Sequence, residues 1–188
     1  MFRYSKLIED INGADTSILS NITTVKLYKY FTPTLNSALK YTLNFNNAFY
    51  NPHSEHNKSA GGILSSTGFY ITGNDNEMFL NDDGAGNVRL YYLDGTTKTY
   101  SSNTQGTINY ETGHIKLTSI NISLISDIRG DSSTKIELTV TPDSNDIVPV
   151  RDQILSLDVA NSSITVEEDT FAGGTSDGGT TYTTTSSY

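Results

Sequence analysis

The sequence predicts a mainly β protein, with an antiparallel, hairpin-rich, β-sandwich-like core and one short N-terminal helix. An α+β arrangement is the alternative. Three observations carry this: short apolar–polar alternations, glycine-bearing turn pairs that break them, and a composition suited to strands. Residues 81–117, NDDGAGNVRLYYLDGTTKTYSSNTQGTINYETGHIKL, show the first two together, interrupted by Asp-Gly, Gln-Gly and Glu-Thr-Gly. Asp94-Gly95 suits the central positions of a type I′ turn, where both residues need positive φ. Thr112-Gly113 closes a second hairpin, between Ile108/Tyr110 and Ile115/Leu117. Hydrophobic residues make up 35% of the 188 and charged residues only 18%, with 12 tyrosines and much Thr, Ser, Asn and Gly. Apolar β-formers run throughout, which separates the chain from charge-driven disorder.

Taken in order, Tyr4, Leu7, Ile8 and Ile11 sit at i, i+3, i+4 and i+7, the stripe of an amphipathic helix that Asn12-Gly13 ends. A helix of about ten residues is marginal alone in water, so the stripe must dock, on its own domain or on another chain. From Ser20 the pattern is β: Val25, Leu27 and Phe31 alternate with Lys26, Tyr28 and Tyr30. Tyr41 to Phe45 repeats the alternation after a break at Pro33. Residues 46–62, with Pro52, His53, His56 and Gly61-Gly62, read as a long loop, functional or mobile. Phe69-Tyr70-Ile71 and Met78-Phe79-Leu80 read as short strands.

Further on, Ile136, Leu138 and Val140 face one way and Lys135, Glu137 and Thr139 the other, until Pro142 stops the strand. Ile154, Leu155, Leu157 and Val159, followed by Ile164 and Val166 across Asn161-Ser162-Ser163, predict one more hairpin. The final AGGTSDGGTTYTTTSSY has no aliphatic residue larger than Ala and cannot offset its own ordering entropy. It is expected to be flexible alone or to order against a partner. The division predicted is a helix and lead-in over 1–19, a β domain over 20–141, a C-terminal β-hairpin module over 142–171 and a tail over 172–188. Two β modules would then meet near Pro142 to Pro149.

Net charge is −9, and residues 141–188 hold one basic against eight acidic side chains. That balance cannot supply the phosphate-neutralising contacts of a nucleic-acid partner. With no cysteine, neither disulfides nor thiolate metal sites are available. No apolar run approaches the ~20 residues of a membrane span, and MFRYSKLIEDI lacks the apolar segment of a signal peptide. A soluble chain made in the cytoplasm is expected.

The search for chemistry gives few candidates. His53-Ser54-Glu55-His56 lacks a third ligand and a rigid helix, so solvated loop histidines are expected rather than a metal site. Asn81 to Asn87 resembles a calcium loop but lacks the alternating oxygens and the final bidentate Glu, and reads as a turn. Glu167-Glu168-Asp169 reads as solvated surface, since a glycosidase pair sits on separate elements across a cleft. No Gly-x-Ser-x-Gly elbow or phosphate-cradling glycine loop is present. Arg129-Gly130-Asp131 matches an integrin-binding tripeptide and reads equally well as a turn. No catalytic residue, metal ligand or cofactor is predicted.

Six segments in order carry a family resemblance: ILSNITTVKLYKYFTPTLN, YTLNFNNAFYNPH, GGILSSTGFYITG, MFLNDDGAGNVRLYYL, TQGTINYETGHIKLTSINI and VTPDSNDIVPVRDQILSLDVANSSITVEEDTFAGG. Together they resemble the C-terminal part of a baseplate wedge subunit, gene product six, of contractile-tailed, T-even-like bacteriophages, the cyanophage type included. The resemblance implies a non-enzymatic structural protein of the virion tail, made in the host cytoplasm. It also implies a homodimer that joins other wedge proteins in a ring around the tail hub. The family's subunit is much longer, with an N-terminal region that has no counterpart here. Interface candidates are the helix stripe Tyr4, Leu7, Ile8 and Ile11, the strand tyrosines Tyr28 and Tyr30, and the tail tyrosines Tyr182 and Tyr188. The alternative is a carbohydrate- or receptor-binding β-sandwich of a tail fibre or adhesin, using exposed tyrosines and the 53–62 loop. A hydrolase centred on Glu167 or Glu168 is the weakest reading.

Overall fold

The computed structural model describes residues 2–147, 159 and 162–167. The chain divides into two units, Met1–Gln153 and Ile154–Tyr188. In the first, helix α1 (Tyr4–Asn12) precedes strands β1 (Leu27–Phe31) and β2 (Ala38–Asn44), a one-turn helix α2 (His56–Ala60), and strands β3 (Ser65–Ser66) and β4 (Phe69–Ile71). Strands β5 (Met78–Asp82), β6 (Asn87–Asp94), β7 (Thr97–Asn109), β8 (His114–Ile125) and β9 (Ile136–Val140) follow. The fold is mainly β with a short N-terminal helix, as the alternation and turn residues predict.

All pairings between strands are antiparallel and belong to one continuous sheet, ordered β1-β9-β3-β5-β4-β8-β7-β6, with β2 on β8. Strand β5 also pairs with β6, so β4, β5, β6, β7 and β8 close into a circuit. The sandwich-like core thus takes the form of one sheet returning on itself around one interior. Phe69, Met78, Leu80, Val88, Ile115, Ile136, Leu138 and Val140 are wholly buried there. Each such side chain contributes roughly 1.5–3 kcal/mol relative to exposure, in a domain without disulfides. The inward set Ile136, Leu138 and Val140 is the one the alternation predicts. Glu137 is buried as well, against expectation, for a reason given below.

The hairpin β6–β7 forms where predicted, with one correction. Asp94 pairs with Thr97, so the turn residues are Gly95-Thr96, and only Gly95 has positive φ, at +61°. That is the type II′ arrangement, with glycine first. Ile108 pairs with Ile115 as expected, but Tyr110 lies in the four-residue turn and not on the strand. Gln105-Gly106 is no break: Gly106 pairs with Val88 on one side and Leu117 on the other, where a side chain would strike the Lys116 carbonyl. Gly13 ends α1 while staying right-handed, its N–H donating to the Glu9 carbonyl.

Residues 46–62 form the long connection predicted, exposed over 51–55 and 58–61 but anchored at two points and carrying the one-turn α2. Phe49 and Asn57 are buried, and the Phe45 and Phe49 amides donate to the Gly113 and Tyr110 carbonyls. Tyr50 and Asp143 add bonds from its amide to Thr141 and from Asp143 to the Ala48 carbonyl. Of the expected C-terminal hairpin, residues 162–167 are irregular, with Ile164 and Val166 exposed. Its other residues, apart from Val159, lie outside the described residues.

Candidate interaction surface

Register assembles a face that no single segment announces. Directly opposed residues of antiparallel strands point to the same side. One row therefore runs Tyr28, Thr139, Ser65, Asn81 and Arg89 across β1, β9, β3, β5 and β6. Beside it lie Tyr30 opposite Glu137, and Phe79, Tyr91 and Tyr100 across β5, β6 and β7. Alternation puts these residues on the side opposite the core-facing Met78, Leu80, Val88 and Leu90, with Asn81 and Glu137 themselves covered by their neighbours.

Aromatic rings and cations are interleaved on this face. Phe79 stacks on Tyr91 at 5.6 Å, and Tyr91 meets Tyr100 at 5.9 Å. The Arg89 guanidinium lies 4.3 Å from the Tyr100 ring centre and Lys98 Nζ lies 4.9 Å from that of Tyr91. Arg89 is fixed from below, its Nε donating to Asn81 Oδ1 at 3.1 Å and its Nη2 to the Asp82 carbonyl at 2.7 Å. Burial, then the neighbouring Tyr100, pushes the Tyr91 hydroxyl above the ordinary tyrosine range.

At the β1 end Tyr28 and Tyr30 meet edge to face at 5.3 Å, each somewhat over a third exposed. Arg129 Nη2 reaches both Glu137 carboxylate oxygens, at 3.2 and 3.0 Å, which explains how Glu137 is tolerated in a buried position. Lys135 Nζ sits 5.9 Å from the Tyr30 ring. Arg129 and Gly130 both have positive φ, +55° and +87°, and turn the chain between the bonded Ile128 and Asp131. The tripeptide is thus a tight turn whose arginine is bound to its own sheet.

Beneath the face, the buried Asp82 ties three segments. Its Oδ1 accepts from the Ile63 and Leu64 amides at 2.7 and 2.8 Å, and its Oδ2 from the Tyr110 hydroxyl at 2.6 Å. Sequence reading missed it; the available signal was an acid on the inward phase of a strand just before a turn. Its neighbour Asp83 accepts from the Ala85 and Asn87 amides and from Asn87 Nδ2. Those bonds spend its carboxylate on the turn that the Asp/Asn/Gly cluster predicts.

The other predicted residues are dispersed. Tyr4, Leu7, Ile8 and Ile11 are half-buried, and α1 has no fully buried residue. The Tyr4 hydroxyl donates to the Thr23 carbonyl, and its amide to Asp146 Oδ1. His53 and His56 lie ring to ring, Nε2 to Nδ1 at 3.1 Å, and no group of three or more His, Cys, Asp or Glu suited to a metal occurs among the described residues. Glu167 is exposed, while Glu168, Asp169, Tyr182 and Tyr188 lie outside the described residues. No helix among the described residues is long and apolar enough to cross a membrane. Compared with models of protein families, with curated proteins and with solved structures, the chain finds no match.

Proposed function

We propose that the chain is a structural component of a contractile-tail baseplate wedge, contributing to assembly through protein–protein contacts. The observation that carries this reading is the outer sheet face bearing Tyr28, Tyr30, Phe79, Tyr91, Tyr100 and Arg89. Aromatic residues and arginine are the types enriched in protein interfaces and in their energetic centres. Tyrosine adds rigid contact area at low entropy cost. The face carries Arg89, Lys98 and Lys135 on a chain of net charge −9, which suits contact with an acidic neighbour. The six wedge-like segments support the same reading.

Light scattering on the purified chain, alone and mixed with the other wedge proteins, tests it. A dimer or mixed complex that dissociates when Tyr91 and Tyr100 are changed to Ser is the expected result. A strict monomer at high concentration that also ignores the other wedge proteins overturns the reading. A particle reconstruction that puts the chain outside the baseplate ring does so too.

A further inference from the structure

We propose that a hollow on the β7–β8 hairpin binds a sugar bearing a carboxylate. The hollow measures about 350 Å³ and is lined by Thr107, Ile108, Asn109, Thr112, His114 and Lys116. Small-molecule sites begin at about this size. Register explains the lining. Lys116 is flanked by Thr107 on β7 and Thr42 on β2, and His114 by Asn109 and Asn44. Two polar triplets therefore lie side by side on one face of three paired strands, each centred on a nitrogen base.

The chemistry of those residues selects the ligand. On a chain of net charge −9 the lining contains no carboxylate, and Lys116 forms no ion pair among the described residues. An ammonium so placed is a point-charge donor for an anion. Threonine hydroxyls and asparagine amides both donate and accept, which matches sugar hydroxyls. A bare anion would use only their donor capacity.

The site is also held in shape before any ligand arrives. The Thr112 amide donates to Asn109 Oδ1 at 2.8 Å, pinning that side-chain amide by its oxygen. The Gly113 amide donates to the Asn109 carbonyl at 3.0 Å, and the Gly113 carbonyl accepts from Phe45 at 2.9 Å. Gly113 sits at φ +68° where a Cβ would overlap the Asn47 carbonyl, so the rim is clamped by the 45–49 segment. Preorganisation of this kind lowers the cost of binding. The site stands apart from the assembly reading, and either can fail without the other.

A ¹H–¹⁵N NMR titration of the full chain with D-glucuronate, D-glucose and inorganic phosphate tests it. Glucuronate is expected to give saturable shifts at the amides of Thr107, Asn109, His114 and Lys116. Glucose, which lacks the carboxylate, should bind about tenfold more weakly, the scale of one charge-assisted hydrogen bond. Lys116→Met should cost a similar factor and Thr107→Val a smaller one, both side chains being exposed and the thermal midpoint unchanged. No saturable shift, shifts centred elsewhere, or equal affinity for glucose overturns the proposal. Phosphate binding as tight as glucuronate overturns it too, by reducing the hollow to a bare anion site.

Discussion

The Tyr110 hydroxyl donates to Asp82 Oδ2 at 2.6 Å, joining the β7–β8 turn to the end of β5. With the Ile63 and Leu64 amides on Oδ1, one carboxyl group holds three segments that are distant in sequence. Asp82→Ala should destabilise the domain by about 3–5 kcal/mol, because one buried and two part-buried donors lose their acceptor. Tyr110→Phe should cost about 1–3 kcal/mol. Urea unfolding of both variants checks this, and a cost for Asp82→Ala no larger than for Tyr110→Phe would refute the three-way tie.

The same bond gives an alkaline signature. Burial first, then the hydrogen bond and charge of Asp82, hold the Tyr110 hydroxyl far above the ordinary tyrosine range. A group whose pKa is raised on folding contributes stability that is whole below its unfolded value and lost as pH rises past it. Stability should therefore fall above about pH 10, the unfolded tyrosine value. Tyr110→Phe should decline less steeply there, as urea midpoints between pH 8 and 11 would report. Parallel curves would show that Tyr110 ionises as freely folded as unfolded.

Asp83 gives the acid counterpart. Burial works to raise its carboxyl, but the Asn87 and Ala85 hydrogen bonds and the Arg89 charge outweigh it and hold the group below the usual carboxylate range. Its contribution is present above the unfolded value, about pH 4, and lost as pH falls through the folded one. Asp83→Asn should thus lose less stability than the native chain between pH 6 and pH 3. An unchanged acid slope would count against this role.

Two turn glycines should differ sharply. Gly84 (φ +74°) lies against the α2 backbone, where a Cβ would overlap Asn57 and Lys58, whereas Gly95 (φ +61°) faces open space. Gly95→Ala should cost only the backbone strain of alanine at positive φ, about 1–3 kcal/mol. Gly84→Ala should cost more, since α2 or the turn must move. Thermal unfolding of the pair decides it, and equal midpoints would mean that the 46–62 segment yields freely.

Local features were legible in the sequence and distant ones were not. The β6–β7 and β7–β8 hairpins are announced by Gly95 and Gly113, because glycine alone adopts positive φ at little cost. The phase of Ile136, Leu138 and Val140 is announced by strict alternation. Nothing local says that β9 pairs with β1 and β3, and the outer face depends on those pairings. The one-turn α2 follows Glu55 in a left-handed conformation with no side-chain cap, so it lacked a start signal. Asp82 was hidden because its acceptors serve the amides of Ile63 and Leu64 and a tyrosine 28 positions away.

The closed circuit of β4 to β8 bears on how such chains avoid sticking to each other. Among the described strands, only β1 and β2 have a single partner. Strand addition by a second molecule, the usual template for runaway aggregation, is thereby limited to those two rims and to Thr97–Gln105 of β7, which β8 does not cover. Between β1 and β2 Lys29 Nζ donates to the Asn44 carbonyl at 2.6 Å, and Phe31 packs on Tyr41 at 5.2 Å. A charged side chain thus covers an acceptor that an intruding strand would need. A strand arriving at that rim would first have to displace an ammonium already seated on the backbone.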